Sequence, residues 1–206
     1  ETAPATPPGA ACAADVASGV GTYPITLTDG SDPNYALRLQ GGTLSVTRNL
    51  LTVTAEDKSR LYGDSNPAFT VSYEGFVNDD DADDLATQPV AICTADAASG
   101  AGAYDVVPGE GVDENYAFNY VNGTLWVTEK LLTVTAEDKS RLYGDANPGF
   151  TVSYDGFVND DDAGDLTTQP TASSDAVPGS GVSTYDIASD GGVDENYVFS
   201  YVNGTL

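Results

Sequence analysis

The chemistry available to this sequence is that of carboxylates, because their usual catalytic partners are missing. Among 206 residues there are 32 Asp and Glu, 7 Lys and Arg, 2 Cys and no His. Without His there is no nucleophilic triad of the usual form, and the commonest zinc ligand is absent. Carboxylate pairs can act as general acid and base when an apolar cleft sets their protonation apart. Here they lie in polar, turn-rich stretches, so no catalytic residue and no organic cofactor is expected. The densest acidic runs, 78–85 and 159–166, make Ca²⁺ the one metal candidate, through Asp79, Asp81 and Asp84 and through Asp160, Asp162 and Asp165. They lack the sixth-position Gly of a helix–loop–helix Ca²⁺ site, and a capped helix start accounts for the same residues without a metal. A second acidic cluster, Asp29, Asp32 and Asn34 with its counterpart Asp113, Glu114 and Asn115, is accounted for by Asx turns.

Cys12 and Cys93 lie 81 residues apart, and Ser174 follows at the same interval. That interval is a repeat. Residues 49–125 align with 130–206 without a gap and share 54 of 77 positions, and Leu50–Asp64 returns unchanged as Leu131–Asp145. The chain therefore divides into the second half of one repeat (1–48), a full repeat (49–129) and a nearly full one (130–206). There is no Met, no basic and apolar leader at the N-terminus, and no apolar run of membrane-spanning length. We expect a window on a longer array.

The acidic balance excludes nucleic acid and anionic lipid as partners, and no membrane insertion is expected. Thr, Val, Tyr, Gly and Asp dominate, which favours strands joined by tight turns. In the full repeat, Leu51–Ala55, Phe69–Tyr73, Pro89–Thr94, Ala103–Val107, Tyr116–Tyr120 and Leu125–Thr128 read as strands. Asn78–Leu85 reads as the one short helix, and Asn122-Gly123 as a two-residue hairpin turn. The Asn-Gly-Thr sequons at Asn122 and Asn203 need no sugar on that reading. Only Glu129-Lys130 separates one repeat from the next, which limits swivel and predicts an extended rod.

These elements position the remaining candidates. In 125–128 strand alternation puts Leu125 and Val127 on one face and Trp126 on the other. Its counterpart one repeat earlier is Ser45, so Trp126 is a candidate contact for a partner or a repeat junction. Tyr62-Gly63-Asp64 and Tyr143-Gly144-Asp145 read as Tyr on the sheet, Gly at positive φ and Asp closing the turn. Lys58 and Lys139 lie in Glu-Asp-Lys-Ser-Arg stretches that read as exposed, which sets aside a lysine cross-link. Equivalent atoms of stacked repeats are separated by roughly 30 Å, whereas a disulfide needs Cα atoms within about 7 Å. Cys12 and Cys93 are thus expected as free thiols or as partners in disulfides between chains.

Leu-Thr-Val-Thr-Ala, Tyr-Gly-Asp, Asn-Pro, Phe-Thr-Val-Ser-Tyr and the closing Tyr-Val-Asn-Gly-Thr-Leu together resemble the MBG repeats of bacterial surface proteins, of the Tyr-Gly-X type. The resemblance implies tandem small β-grasp-like domains in arrays within adhesins and filamentous-haemagglutinin-like exoproteins, with no catalytic residues. The triple-Asp runs depart from the pattern it leads us to expect. The expected function is a non-enzymatic stalk or spacer, secreted to the bacterial surface or extracellular matrix. Its expected partners are other copies or neighbouring repeats, with glycans reached through regions outside this chain. The rivals are a subunit of an extracellular filament or sheath and a carbohydrate- or ligand-binding module.

Overall fold

A computed structural model describes residues 4–206. The strands, in chain order, are β1 (Gly9–Cys12), β2 (Gly21–Thr28), β3 (Gly42–Val46), β4 (Asn49–Ala55), β5 (Lys58–Leu61), β6 (Val71–Glu74), β7 (Val90–Cys93) and β8 (Gly102–Gly109). They continue as β9 (Tyr116–Val121), β10 (Gly123–Thr128), β11 (Lys130–Ala136), β12 (Val152–Asp155), β13 (Thr171–Ser173), β14 (Asp186–Asp190), β15 (Tyr197–Val202) and β16 (Gly204–Thr205). The class is mainly β, and all six strands expected in the full repeat form. One residue, Glu129, separates β10 from β11.

The chain forms two compact units whose limits cut through the middle repeat. The first comprises 1–56, 70–92 and 107–122. It holds the antiparallel sheet β1-β2-β3 and a mixed sheet β6-β4-β9, in which β4 runs antiparallel to β6 and parallel to β9. Alternation along Leu-Leu-Thr-Val-Thr-Ala buries Leu51, Val53 and Ala55 on one face. Leu51 and Val53 join Leu85 and Tyr116 in a core flanked by Val71, Tyr73, Phe76 and Phe118. Rings of this size bury a large apolar area each, which lets so small a unit hold a core.

The second unit comprises 57–69, 93–106 and 123–206. Here β10 lies between β5, parallel, and the 102–106 part of β8, antiparallel. The third repeat supplies a mixed sheet β12-β11-β15 and a small sheet β13-β14-β16. Leu132, Val134 and Ile187 are fully buried there, with Leu166, Ala176 and Tyr197 nearly so.

Three expectations are corrected. The expected helix per repeat is absent: the one helical element among the described residues is a single 3-10 turn, Ala82–Asp84. Asn78 and Asp79 adopt φ of 58° and 64°, a left-handed conformation no α-helix contains. The Asp84 carboxylate accepts from the Asp81 amide at 2.9 Å, and Leu85 is already extended, so the coil closes after one turn.

Second, Asn122-Gly123 is no hairpin. β9 and β10 belong to different sheets, and neither Gly123 nor Gly204 has positive φ. A Cβ on Gly204 would collide with the carbonyl oxygen of Ala136. At Gly204 the residue is there for close backbone approach.

Third, Glu56–Arg60 is not uniformly exposed. Lys58–Leu61 is strand β5, and Arg60 is buried. Its Nε donates to Asn66 Oδ1 at 2.8 Å, its Nη1 to the Leu61 carbonyl at 3.1 Å, and its Nη2 to the Asp96 carbonyl. A buried guanidinium persists only with its donors satisfied in this way.

Candidate functional site

The most developed site lies where the middle repeat meets the third, within the second unit. β5 and β10 pair in parallel over Lys58–Leu61 and Leu125–Thr128. The ladder is closed by the Tyr62 amide, which donates to the Thr128 carbonyl at 2.8 Å. The chain then turns at Gly63, φ 82°, with the Asp64 amide donating to the Leu61 carbonyl at 3.2 Å. The turn drives the Tyr62 ring into the following repeat rather than onto its own sheet.

There Tyr62 meets Tyr197 edge-on, with ring centroids 5.5 Å apart and planes at 87°, the favoured arrangement of two ring quadrupoles. The Tyr62 hydroxyl donates to Asp161 Oδ2 at 3.0 Å, and the Tyr197 hydroxyl donates to the same oxygen at 2.7 Å. The Val158 amide donates to the Tyr197 hydroxyl at 3.1 Å. Gly63 lies against Val158 so closely that a Cβ would overlap its side chain. Burial pushes the Tyr197 phenol well above its ordinary range, and the bond to Asp161 adds to the shift. Burial raises Tyr62 as well, partly offset by a bond with Asn159 and reinforced by Asp161.

Two further bonds hold the repeats together. Asn159 Nδ2 donates to the Ala97 carbonyl at 3.0 Å, and the Ala101 amide donates to Asn196 Oδ1 at 2.8 Å. Lys130 Nζ lies 3.0 Å from Asp64 Oδ1. Both side chains are partly solvated, so that pair contributes at most about 1 kcal/mol.

The same turn has the opposite surroundings one repeat later. Leu142-Tyr143-Gly144-Asp145 repeats Leu61-Tyr62-Gly63-Asp64, yet Tyr62 is 5 % exposed and Tyr143 67 %. Nothing lies within 4 Å of a Cβ built on Gly144. The sequence reading placed Tyr on its own sheet. Identical sequences carry no sign of which copy is covered, so the partner of Tyr62 was not legible from one repeat alone.

The acidic runs serve local geometry. Asp81 Oδ1 accepts from the Asp83 amide at 2.8 Å, and Asp84 Oδ2 accepts from the Asp81 amide, a reciprocal cap. In the third repeat Asp162 Oδ1 accepts from Gly164 at 2.6 Å and Asp165 Oδ2 from Asp162 at 2.8 Å. Asp79 and Asp160 hold the left-handed turn. Among the described residues no three acidic or thiol groups converge to hold a metal ion. The second acidic cluster forms Asx turns: Asp32 Oδ1 accepts from Asn34 at 2.8 Å and Asp113 Oδ1 from Asn115 at 2.7 Å.

Trp126 is 53 % exposed while Leu125 and Val127 are buried, as alternation requires. Its ring borders a shallow cleft with Asp57, Lys58, Ser59 and Pro67. Cys12 and Cys93 are free and half-buried. No helix among the described residues is long and apolar enough to cross a membrane. The family model described as MBG domain (YGX type) matches three times, at residues 1–45, 51–126 and 132–206. No curated protein and no solved structure matches the chain.

Proposed function

Because this chain belongs to the family of MBG domains of the YGX type, we propose that it is a non-enzymatic spacer, a stretch of stalk in a bacterial surface protein. The observation that carries this reading is Tyr62, a side chain of one repeat built into the core of the next. A module that only carried a ligand site would need no such coupling, whereas a spacer gains reach only if its units cannot fold back on one another. The single residue between β10 and β11 favours the same reading. In this reading the repeats follow one another as an extended rod, each grasp-like around the parallel β11–β15 pair or its counterpart. The partners are neighbouring repeats. The acidic surface repels nucleic acid and anionic membranes and keeps neighbouring stalks apart.

Small-angle scattering on arrays of one, two and four repeats tests the reading. The maximum dimension should rise by a constant increment per repeat. Tyr62→Ala and its equivalents should shorten the mean dimension by freeing the junctions. An array whose dimension grows as a flexible coil, and which Tyr62→Ala leaves unchanged, would refute the spacer reading.

A further inference from the structure

Two successive junctions each carry an asparagine that makes three bonds at once. The Asn196 amide donates to Asp194 Oδ1 at 2.8 Å, an Asx turn that fixes the residue on its own repeat. Its backbone carbonyl accepts from the Lys130 amide at 2.8 Å, immediately after the linker residue Glu129. Its side-chain Oδ1 accepts from the Ala101 amide of the preceding repeat at 2.8 Å. Asn115, 81 residues earlier, does the same. Its amide donates to Asp113 Oδ1 at 2.7 Å, its carbonyl accepts from the Asn49 amide at 2.9 Å, and its Oδ1 accepts from the Val20 amide at 2.9 Å.

The loop that meets the asparagine is folded by its own bonds. The Asp96 amide donates to Ser99 Oγ at 2.9 Å, the Ala98 amide to Asp96 Oδ1 at 3.1 Å, and the Tyr104 hydroxyl to the Gly100 carbonyl at 2.9 Å. The equivalent bonds of Asp15, Ala17 and Tyr23 measure 2.8, 3.1 and 2.7 Å. Arg60 and Asn66 fasten the 95–101 loop from beneath, through the carbonyls of Asp96 and Ala95. Held in this way, the loop offers the Ala101 amide at a fixed point.

The fit leaves no room for a side chain on that loop. A Cβ on Gly100 would stand 2.8 Å from Asn196 Oδ1, and one on Gly19 3.1 Å from Asn115 Oδ1. Gly100 has no positive φ, so the residue serves close approach and not backbone conformation. A larger residue there is accommodated by swinging the Asn196 amide away, which gives up its bond to Ala101. The bonds also close a ring across the linker. Gly102, next to Ala101, pairs with Val127 near the end of β10. The ring then runs through Thr128 and Glu129 to Lys130, and Asn196 joins Lys130 back to Ala101. A single linker residue leaves two backbone torsions to turn, and closing the ring removes that freedom.

We propose that Asn115 and Asn196 are the positioning residues that set the angle of each repeat on the one before it, and that the Gly–Asn contact selects which repeats can be neighbours. The surface on one side is a Ser-Gly loop with an open amide after the Gly. The partner it fits is an adjoining repeat that carries Asp-x-Asn-Tyr at the start of its strand. Tyr62 supplies the buried apolar contact, and Asn196 supplies the direction. A repeat with a bulkier residue in place of Gly100 would still be tethered to its neighbour but would swivel on Glu129. The proposal rests on the reading of the Tyr62 junction as the coupling between repeats.

The test uses the 206-residue chain and two readouts, amide hydrogen exchange and residual dipolar couplings. In Asn196→Ala the Ala101 amide should exchange at least about tenfold faster, while Lys130, whose acceptor is a backbone carbonyl, keeps its protection. The couplings of β10 and of β11 with β15 should fit one alignment tensor in the wild type and two in Asn196→Ala. Asn196→Asp retains an acceptor oxygen and should restore both readouts. Gly100→Ala should reproduce Asn196→Ala, and the double variant should be no looser than either single one, as expected of one shared contact. Should Asn196→Ala fail to fold, Gly100→Ala carries the same test. An Ala101 amide equally protected without the Asn196 side chain overturns the proposal, as does a single tensor in both Asn196→Ala and Gly100→Ala. If Tyr62→Ala loosens the junction in scattering while these variants leave the couplings unchanged, the spacer reading survives and only this proposal falls.

Discussion

Tyr62 and Tyr197, contributed by successive repeats, meet edge to face at 5.5 Å and share one acceptor, Oδ2 of Asp161. Removing either ring leaves the other buried phenol against a void, so the pair should behave as a unit.

The first prediction separates the ring from its hydroxyl. Tyr62→Phe removes one hydrogen bond and should destabilise by about 1 kcal/mol. Tyr62→Ala also opens a cavity and should cost about 3–5 kcal/mol. Tyr143→Ala, at an exposed position, should stay within about 0.5 kcal/mol of wild type. Urea denaturation with a shared m-value measures all three. Equal losses for Tyr62→Ala and Tyr143→Ala would contradict the junction.

A second comparison isolates packing from backbone strain. Gly63 and Gly144 both adopt positive φ, 82° and 91°, so an Ala at either carries a similar conformational penalty of about 1 kcal/mol. Only at Gly63 does the added Cβ also strike Val158. Gly63→Ala should therefore be clearly the more destabilising in thermal melts, and a match between the two would mean that Val158 yields without cost.

The pH response follows from the phenols. Burial raises Tyr62, Tyr116 and Tyr197 above their ordinary value, with Asp161 or Asp80 adding to the shift. A raised phenol favours the protonated, folded form. Its stabilisation is fully present below about pH 10, the value of an unfolded tyrosine, and is lost as pH rises toward the folded values. Melting temperature should be flat on this account up to about pH 9.5 and fall beyond it. Phenolate absorbance at 295 nm in the folded chain should lag that of the denatured chain. Tyrosines that all ionise with ordinary affinity while the fold persists would rule this out.

The acidic runs should respond as caps. Asp81→Ala should destabilise by about 1 kcal/mol. Millimolar Ca²⁺ and Mg²⁺ at matched ionic strength should shift the melting temperature equally. A rise specific to Ca²⁺ that vanishes in Asp79→Asn, Asp81→Asn and Asp84→Asn would assign these residues to a metal instead.

Trp126 and the cysteines report on assembly. In the isolated chain Trp126 should emit near the wavelength of exposed indole and be quenched readily by acrylamide. Maleimide should label Cys12 and Cys93 under native conditions, or more slowly than in denaturant if their half-buried positions limit access. Protection of Trp126 in native material, or a ladder on a non-reducing gel that collapses with reductant, would identify a partner chain.

Much of the strand pattern was legible because alternation along Leu-Thr-Val-Thr-Ala states directly which face is buried; along Tyr-Ala-Phe-Asn-Tyr only Tyr116 is fully buried and Tyr120 is exposed. The missing helix was not, since Asn and Asp serve equally as helix caps and as left-handed turn residues, and Asn78-Asp79 took the second role. Nor was the step at Asn122-Gly123, where a short Asn-Gly pair suits both a hairpin and a close backbone approach. β5 was masked by its charges: Arg60 looks solvated until Asn66 and the Asp96 carbonyl come together around it. The site escaped for a different reason. Its residues, Tyr62, Val158, Asp161 and Tyr197, come from two repeats, and a repeat aligned on itself shows what is common, not what touches.

One feature of the sheets bears on load. β4 and β9 run parallel over six paired positions, from Asn49–Tyr116 to Thr54–Val121. In the direction of the chain, tension enters β4 at its start and leaves β9 at its end. For a parallel pair these pulls are opposed along the strand axis, so the strands are sheared rather than peeled. All the ladder bonds then resist together instead of failing one at a time, and β11 with β15 repeats the arrangement. Each such pair would resist an axial pull as a unit, and repeats in series under tension would yield by releasing whole repeats in discrete steps.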